Sequence, residues 1–323
     1  MCVKTQGTEH GGINMMKQQF FGVEIEMTGI TREIAAKAIA EFFGTRAVYT
    51  GGTYDAWEVK DQTYRTWKIM SDSSIRTERK SGKTYIPTES KEYRVELVTP
   101  KLEYADIETL QEVVRRVRKA GAKVNESCGL HIHVDAKNHD ARSLKNLVMI
   151  MYSKEDMLFK ALKVHSDRQR YCKKVRETLV TELKECKLID LNKLGDIWYK
   201  DCSESRTSHY NSTRYAALNL HNVWYRGTVE FRMFNSTLHA GEVKAYIHLA
   251  LAMSAQAITQ KRASDKKTTS TNEKFTFRTW LLRLGLIGEE FEHTRQHLLK
   301  NLEGDAAWRY DKSTYPTNHR AAQ

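Results

Sequence analysis

The chain has little proline, only three residues in 323, and a moderate 17 glycines. Few obligatory backbone breaks favour long helices and regular strands over a loop-rich secreted scaffold. Cysteine is also sparse. Cys2, Cys128, Cys172, Cys186 and Cys202 make an odd number, and no close pair has ligand-like spacing. Free thiols in a reducing compartment account for them most simply. No apolar run is long enough to span a bilayer, and no basic-then-apolar leader opens the chain, so the expected location is the cytoplasm. The sequence has neither a glycine-rich dinucleotide loop nor a phosphate-loop lysine motif, and it shows no internal repeat.

What it has in quantity is charge. Lysine and arginine total 52 against 40 acidic residues, a formal net charge of +12. With 40% hydrophobic and 28% charged residues the composition is that of a globular protein, long enough for one large domain or two modest ones. Such a charge attracts anions, whether nucleic acid, a nucleotide or an acidic peptide. The basic residues alternate with acidic ones along the helices and form few clean stripes, which argues against nucleic acid as the main partner.

Periodicity divides the chain. Residues 1–17 are polar, with Gly7, Gly11 and Gly12, and are expected as a flexible tail. Gln19–Met27 reads as a strand. Thr31–Phe43 reads as a helix capped by Thr31, ended by Gly44, with Ile34, Ala38 and Phe42 inward. Further strands are expected at Tyr54–Val59, Arg65–Met70, Tyr93–Val98 and Leu130–Val134, with a turn at Lys80–Lys83. Helices are expected at Tyr104–Ala120, with Ile107, Leu110, Val113, Val114 and Val117 inward, and from Asp140 or Ser143 to about Val164. Asp167–Cys186 reads as a charged helix, and 190–212 as short helix and loop. Tyr215–Leu220 and Thr228–Phe234 read as strands paired about a turn at Arg226-Gly227. Ala240–Arg262 is a long helix, 264–274 polar and mobile, and Phe275–Leu286 and Glu289–Leu302 the last helices. Strands and helices do not alternate regularly. The expected class is α+β: a curved, mainly antiparallel sheet with helices on one face and a groove on the other.

The informative positions are polar residues on strands. In Phe21-Gly22-Val23-Glu24-Ile25-Glu26-Met27, alternation sends Val23 and Ile25 to one face and Glu24 and Glu26 to the other. Two carboxylates this close repel on a dry face, and a metal ion removes that cost; on a wet face they are ordinary surface acids. Glu96 is embedded among strand formers in the same way, or else pairs with Arg94 at the surface. In Gly129-Leu130-His131-Ile132-His133-Val134-Asp135 the two imidazoles share a face, as metal or substrate contacts or as a hydrogen-bonded pair. In Thr228–Phe234, Val229, Phe231 and Met233 face the core while Glu230 and Arg232 face the groove. A carboxylate there can hold metal, and a guanidinium can fork onto phosphate; a plain ion pair is the alternative. Asn235 adds a polar contact, and Asp135 reaches the His131 face if the strand continues that far. Lys68, Asp72, Arg214 and Asn219 are individually unremarkable, but phosphate chemistry needs such fixed polar groups. Glu24, Glu26, Glu96, His131 and Glu230 form an oxygen-rich donor set suited to magnesium or manganese, with zinc also open.

In this order the segments resemble the amidoligase family, carboxylate–amine ligases of the glutamine synthetase and glutamate–cysteine ligase superfamily. The resemblance covers residues 20–260. Glu24 and Glu26 resemble the first metal-binding strand of that superfamily, and Glu96-Leu97-Val98-Thr99-Pro100 its next acidic strand. Gly129-Leu130-His131 resembles the glycine-hydrophobe-histidine turn of glutamine synthetase, and Glu230-Phe231-Arg232 the late glutamate-x-arginine element. No separate N-terminal domain like that of glutamine synthetase is evident. The resemblance implies a catalytic domain over 18–262 with a glutamine synthetase-like fold, and a helical extension, 263–323, packed on it. It implies ATP with Mg²⁺, or Mn²⁺, as cofactors, and Glu24, Glu26, Glu96, His131 and Glu230 as metal ligands. It puts Arg232 and Arg214, with Lys68 and Asn219, near phosphate, and gives Asp72, His133, Asp135 and Asn235 substrate or supporting roles. The implied reaction joins a carboxylate and an amine, on an amino acid, peptide or protein, through an acyl phosphate. A metallohydrolase using the same groove, or a basic nucleic-acid-binding protein, is the competing reading, and monomer and homodimer both stay open.

Overall fold

The computed structural model describes residues 6–309, with side chains from residue 12 onward. Helix α1 (Gln6–Lys17) leads into β1 (Phe21–Met27) and α2 (Arg32–Phe43). Strands β2 (Ala47–Gly51), β3 (Ala56–Lys60) and β4 (Thr66–Met70) follow, then a separate small hairpin of β5 (Glu78–Ser81) and β6 (Thr84–Pro87). The middle of the chain supplies β7 (Val95–Val98), α3 (Ile107–Lys119), β8 (Gly129–Asp135) and α4 (Ala141–Ala161). Helices α5 (Glu177–Glu185) and α6 (Leu191–Trp198) precede β9 (Leu218–Asn219), α7 (His221–Tyr225) and β10 (Thr228–Asn235). The last elements are α8 (Ala240–Thr259), α9 (Glu273–Arg283) and α10 (Glu292–Leu299).

Eight strands form one antiparallel sheet in the order β2-β3-β4-β7-β1-β8-β10-β9. The expected α+β class, a large antiparallel sheet backed by helices, is what the chain adopts. Alternation gives the sheet its dry face: Val23, Ile25 and Met27 of β1, Val95 and Leu97 of β7, and Leu130, Ile132 and Val134 of β8 are at most 1% exposed. Each such side chain stabilises the fold by roughly 1.5–3 kcal/mol. Helix α8 lies behind β8 and is apolar nearly all round, because α1, α3, α4 and α10 pack around it. Among the described residues no helix is long and apolar enough to cross a membrane.

Several expectations need correction. The N-terminal segment expected as a loose tail is helical from Gln6, and Met16 is buried where α1 meets α8. Helix α2 is capped by Thr31 and closed by left-handed Gly44 as expected, but its inner face is Ala35, Ala36, Ile39, Ala40 and Phe43, leaving Ile34 45% exposed. The alanines let the helix seat closely while Phe43 meets Trp67 of β4, ring centroids 5.3 Å apart. Asp167–Cys186 is α-helical only over Glu177–Glu185, after a single 3-10 turn at Ser166–Arg168, and the strand expected at Tyr215–Leu220 shrinks to two residues. Residues 264–274 are polar because they are anchored by polar contacts. Lys267 reaches Glu155 at 2.7 Å, and Thr268 bonds Ser153 O at 3.0 Å and Lys154 Nζ at 2.6 Å.

Candidate active site

The wet face of the sheet gathers the acids and imidazoles by register. Antiparallel pairing sets Glu26 opposite Glu96, Glu24 opposite His131, and Glu230 opposite both His133 and Asn219. Directly paired side chains on one face are close enough to share a ligand. The result is three overlapping groups whose donor atoms lie within 4.8 Å of one another: Glu24, His133 and Glu230; Glu24, Glu96 and His131; and Glu26, Asp72 and Glu96. Glu24 and Glu96 each belong to two of them. Among the described residues the row therefore runs across β10, β8, β1 and β7 to the loop after β4.

Burial makes this row electrostatically costly. His131 is 5% exposed and Glu230 2%. Burial, and then Arg232, push the His131 imidazole down to about 4, so it is a neutral donor at physiological pH. Burial opposes charge on Glu230, but Arg232, His133 and His131 outweigh it and bring that carboxyl down to about 2. Burial likewise opposes charge on Glu24, and His133 and His131 hold it well below the usual range. Glu26 goes the other way. Burial and the nearby Asp72 push it up to about 8, against a hydrogen bond from Gly129 N at 2.6 Å. Glu96 is raised well above its ordinary value by burial and by Glu24, Asp72 and Glu26. His133 Nε2 is buried, lies 3.2 Å from Glu24 Oε1 and makes no hydrogen bond. Two acids whose ionisation burial and neighbouring acids oppose, beside an orphaned imidazole nitrogen, are the features a divalent cation corrects, so the donor set fits one.

Glu230 is held by its neighbours on both sides. Oε2 accepts from Asn219 at 2.6 Å and from Asn222 at 2.7 Å, while Oε1 accepts from Arg232. Partners of this kind orient a ligand, and their loss commonly weakens metal binding about 10–100-fold. Asn222→Ala and Asn219→Ala are each expected to weaken Mn²⁺ binding by about that factor, read by titration calorimetry.

A bulge shapes the far end of the row. Phe231 pairs with Ile132 and Phe234 with Leu130, so Arg232 and Met233 together oppose His131. Strict alternation, which sends Phe234 to the groove, fails here: Phe234 is fully buried and stacks on Tyr246 of α8. The carbonyls released by the bulge are taken by the guanidinium of Arg168, which is 3% exposed and bonds Phe234 O and, at 3.0 Å, Arg232 O. Gly129 makes room for it, since a Cβ there would lie 2.3 Å from Arg168 Nη2. The space left by the missing side chain is thus filled by an arginine of the protein itself. Gly129→Ala is expected to cost about 2–3 kcal/mol, because the bonded guanidinium has nowhere to retreat. Its denaturation midpoint checks this.

The remaining expected residues fall unevenly. Asp72 and His133, expected as supporting groups, stand among the candidate ligands themselves. Lys68 and Arg214 line a cavity over the row, with Lys68 Nζ 3.4 Å from Glu58 and Arg214 Nη1 on His209 O. Asn219, expected near phosphate, is buried and spent on Glu230. Asp135 does not partner His131; it bonds Lys101 at 2.6 Å and caps the turn at Lys137. Asn235 points away from the row and fastens the end of α4 through Leu162 O, Lys163 O and His165 N. Sequence reasoning missed Asn222 and Arg168. For Arg168 the only hint was the glycine at 129.

Two cavities adjoin at the row. The larger, about 890 Å³, lies over Glu24, Asp72, Glu96, His131 and Arg232. The smaller, about 390 Å³, opens at Phe20, Lys101, His133 and Asp135. Both are bordered by Glu24, Arg226 and Val98–Pro100.

The profile of a family described as "Putative amidoligase enzyme" matches residues 17–254. Among solved structures the chain is similar to a bifunctional glutathione synthetase from Pasteurella multocida, at 12% identity and a TM-score of 0.37. That alignment covers 91% of this chain and 49% of the other, so the chain spans about half its length. Curated proteins return no match.

Proposed function

Because the chain belongs to the amidoligase enzyme family, we propose that it is an ATP-dependent carboxylate–amine ligase that forms an amide or isopeptide bond on an amino acid, peptide or protein. The observation that carries this is the row of three overlapping donor groups with two cavities meeting at Glu24. A reaction joining two substrates at the expense of a third needs more than one approach to one charged centre. On this reading residues 18–262 form a glutamine synthetase-like catalytic domain, with α9 and α10 as an extension.

Glu24, Glu26, Asp72, Glu96, His131, His133 and Glu230 would hold magnesium or manganese, which when bound neutralises phosphate oxygens during transfer. An oxygen of the substrate carboxylate attacks the γ-phosphorus of ATP as the bond to the departing ADP breaks, giving an acyl phosphate. The amine then attacks the acyl carbon, loses a proton and expels phosphate. Arg232 is fixed beside the row by Glu230 and borders the larger cavity, where its charge stabilises phosphoryl oxygens. Arg214 and Lys68 add positive charge along the same wall.

A metallohydrolase would use the same face to activate water. Titration calorimetry with a non-hydrolysable ATP analogue separates the two. Binding that requires Mg²⁺ and vanishes with a chelator is expected, whereas metal-dependent hydrolysis without nucleotide binding would replace the ligase reading.

A further inference from the structure

The larger cavity has more positive charge than its own acids use. Arg32, Lys68 and Arg232 are each in contact with a carboxylate. Among the described residues, Lys91, Arg94 and Arg214 on the same lining have no ion-pair partner. Arg94 is the most telling. Its Nε is buried without a hydrogen bond, which costs free energy unless a ligand completes it. It lies two residues before Glu96 and borders the same cavity, about 6–7 Å along the strand beyond the end of the donor row.

The segment that presents it is built, not incidental. Arg32, 4% exposed, donates Nη1 to Lys91 O at 2.7 Å and to Arg94 O at 2.8 Å. Its other nitrogens are taken by Asp55, through the backbone carbonyl at 2.9 Å and the carboxylate. A buried guanidinium thus staples the 91–94 turn in place so that a second guanidinium is held free at the cavity wall. A planar fork with open N–H groups matches a carboxylate.

We infer that Arg94, assisted by Lys91, is a specificity site for a second carboxylate on the acid substrate, which is therefore a dicarboxylic amino acid or an acidic peptide. This rests on the ligase reading above. One carboxylate lies at the donor row and is activated. The other sits on Arg94, off the end of the row, at a distance a short diacid spans.

The test uses the full chain with Mg²⁺ and ATP, and hydroxylamine as the amine. The acid and ATP give acyl phosphate and ADP; hydroxylamine then gives the hydroxamate and phosphate. The panel pairs succinate, glutarate, L-aspartate, L-glutamate and glutamyl dipeptides with the monocarboxylates propionate, butyrate and L-alanine. Diacids are expected to exceed monoacids by at least about tenfold in kcat/KM, the effect of one charged hydrogen-bonded pair. Arg94→Gln should remove that preference by raising KM for diacids, Arg94→Lys should restore part of it, and both should bind Mg-ATP as the parent does. An unchanged preference in Arg94→Gln overturns the inference. So does weakened Mg-ATP binding in that variant, since Arg94 would then hold phosphate. No turnover of any diacid while Mg-ATP binds also overturns it and leaves the ligase reading standing. Absence of metal-dependent ATP binding in the parent removes both.

Discussion

Replacement of Glu24 by glutamine is expected to reduce ATP-dependent turnover by on the order of a thousandfold or more, with the fold retained. Glu24 is shared by two of the three donor groups, so one substitution disturbs both. It also stands between the imidazoles, 3.1 Å from His131 Nδ1 and 3.2 Å from His133 Nε2. Glutamine keeps the volume and a carbonyl oxygen but removes the charge that balances a cation. A thousandfold corresponds to about 4 kcal/mol of barrier. ADP release with EDTA and Mg²⁺ controls measures it, and circular dichroism confirms that the variant is folded. Glu230→Ala is expected to match it in turnover, because it removes a donor of the row together with the carboxylate that fixes Arg232. Full coupled activity in both variants would rule out this face as the active centre.

The second large effect concerns stability without metal. Glu26 has an ordinary value of 4.5 and is raised to about 8 in the folded chain. A carboxyl raised on folding contributes stability that is complete below about 4.5 and is lost as pH rises toward about 8. Glu96 has the same sign, from burial and three neighbouring acids. Glu230, lowered to about 2, has the opposite sign: its contribution is present above 4.5 and lost only as pH falls through about 2. His131, His139 and His248, lowered by burial to about 4, 4 and 3, also have the opposite sign and cost stability as pH falls below their ordinary 6.5. The chelated protein should therefore be most stable near pH 6.5 and lose on the order of a few kcal/mol between there and pH 8. Mg²⁺ or Mn²⁺ at pH 8 should restore it, raising the melting temperature by on the order of 5 °C or more. Glu26→Gln should flatten the slope and melt higher than the parent in EDTA at pH 8, while responding less to metal. A flat profile between pH 6.5 and 8 in the chelated parent would show that Glu26 ionises without penalty.

These effects differ in how far the sequence foretold them. The donors on β1, β7, β8 and β10 were legible because strand alternation is local: Glu24 and Glu26, His131 and His133, and Glu230 must face opposite to Val23, Ile25, Ile132 and Phe231 wherever the strands lie. The inner face of α3 was legible for the same reason, and its five apolar residues are all buried. The roles of Asp135 and Asn235 were not. Both sit at strand ends, where partners from Lys101 and the end of α4 decide orientation.

The sequence by itself determined which side chains share a face, because the two-residue period of a strand is set by its backbone geometry. Tertiary structure decided which faces meet, through the register that puts Glu26 opposite Glu96 and Glu24 opposite His131. It alone added Asp72 from a loop, placed Arg168 behind the bulge in β10, and left Arg94 unpaired above the row. These depend on contacts between residues far apart in the chain, and no local periodicity encodes such distances.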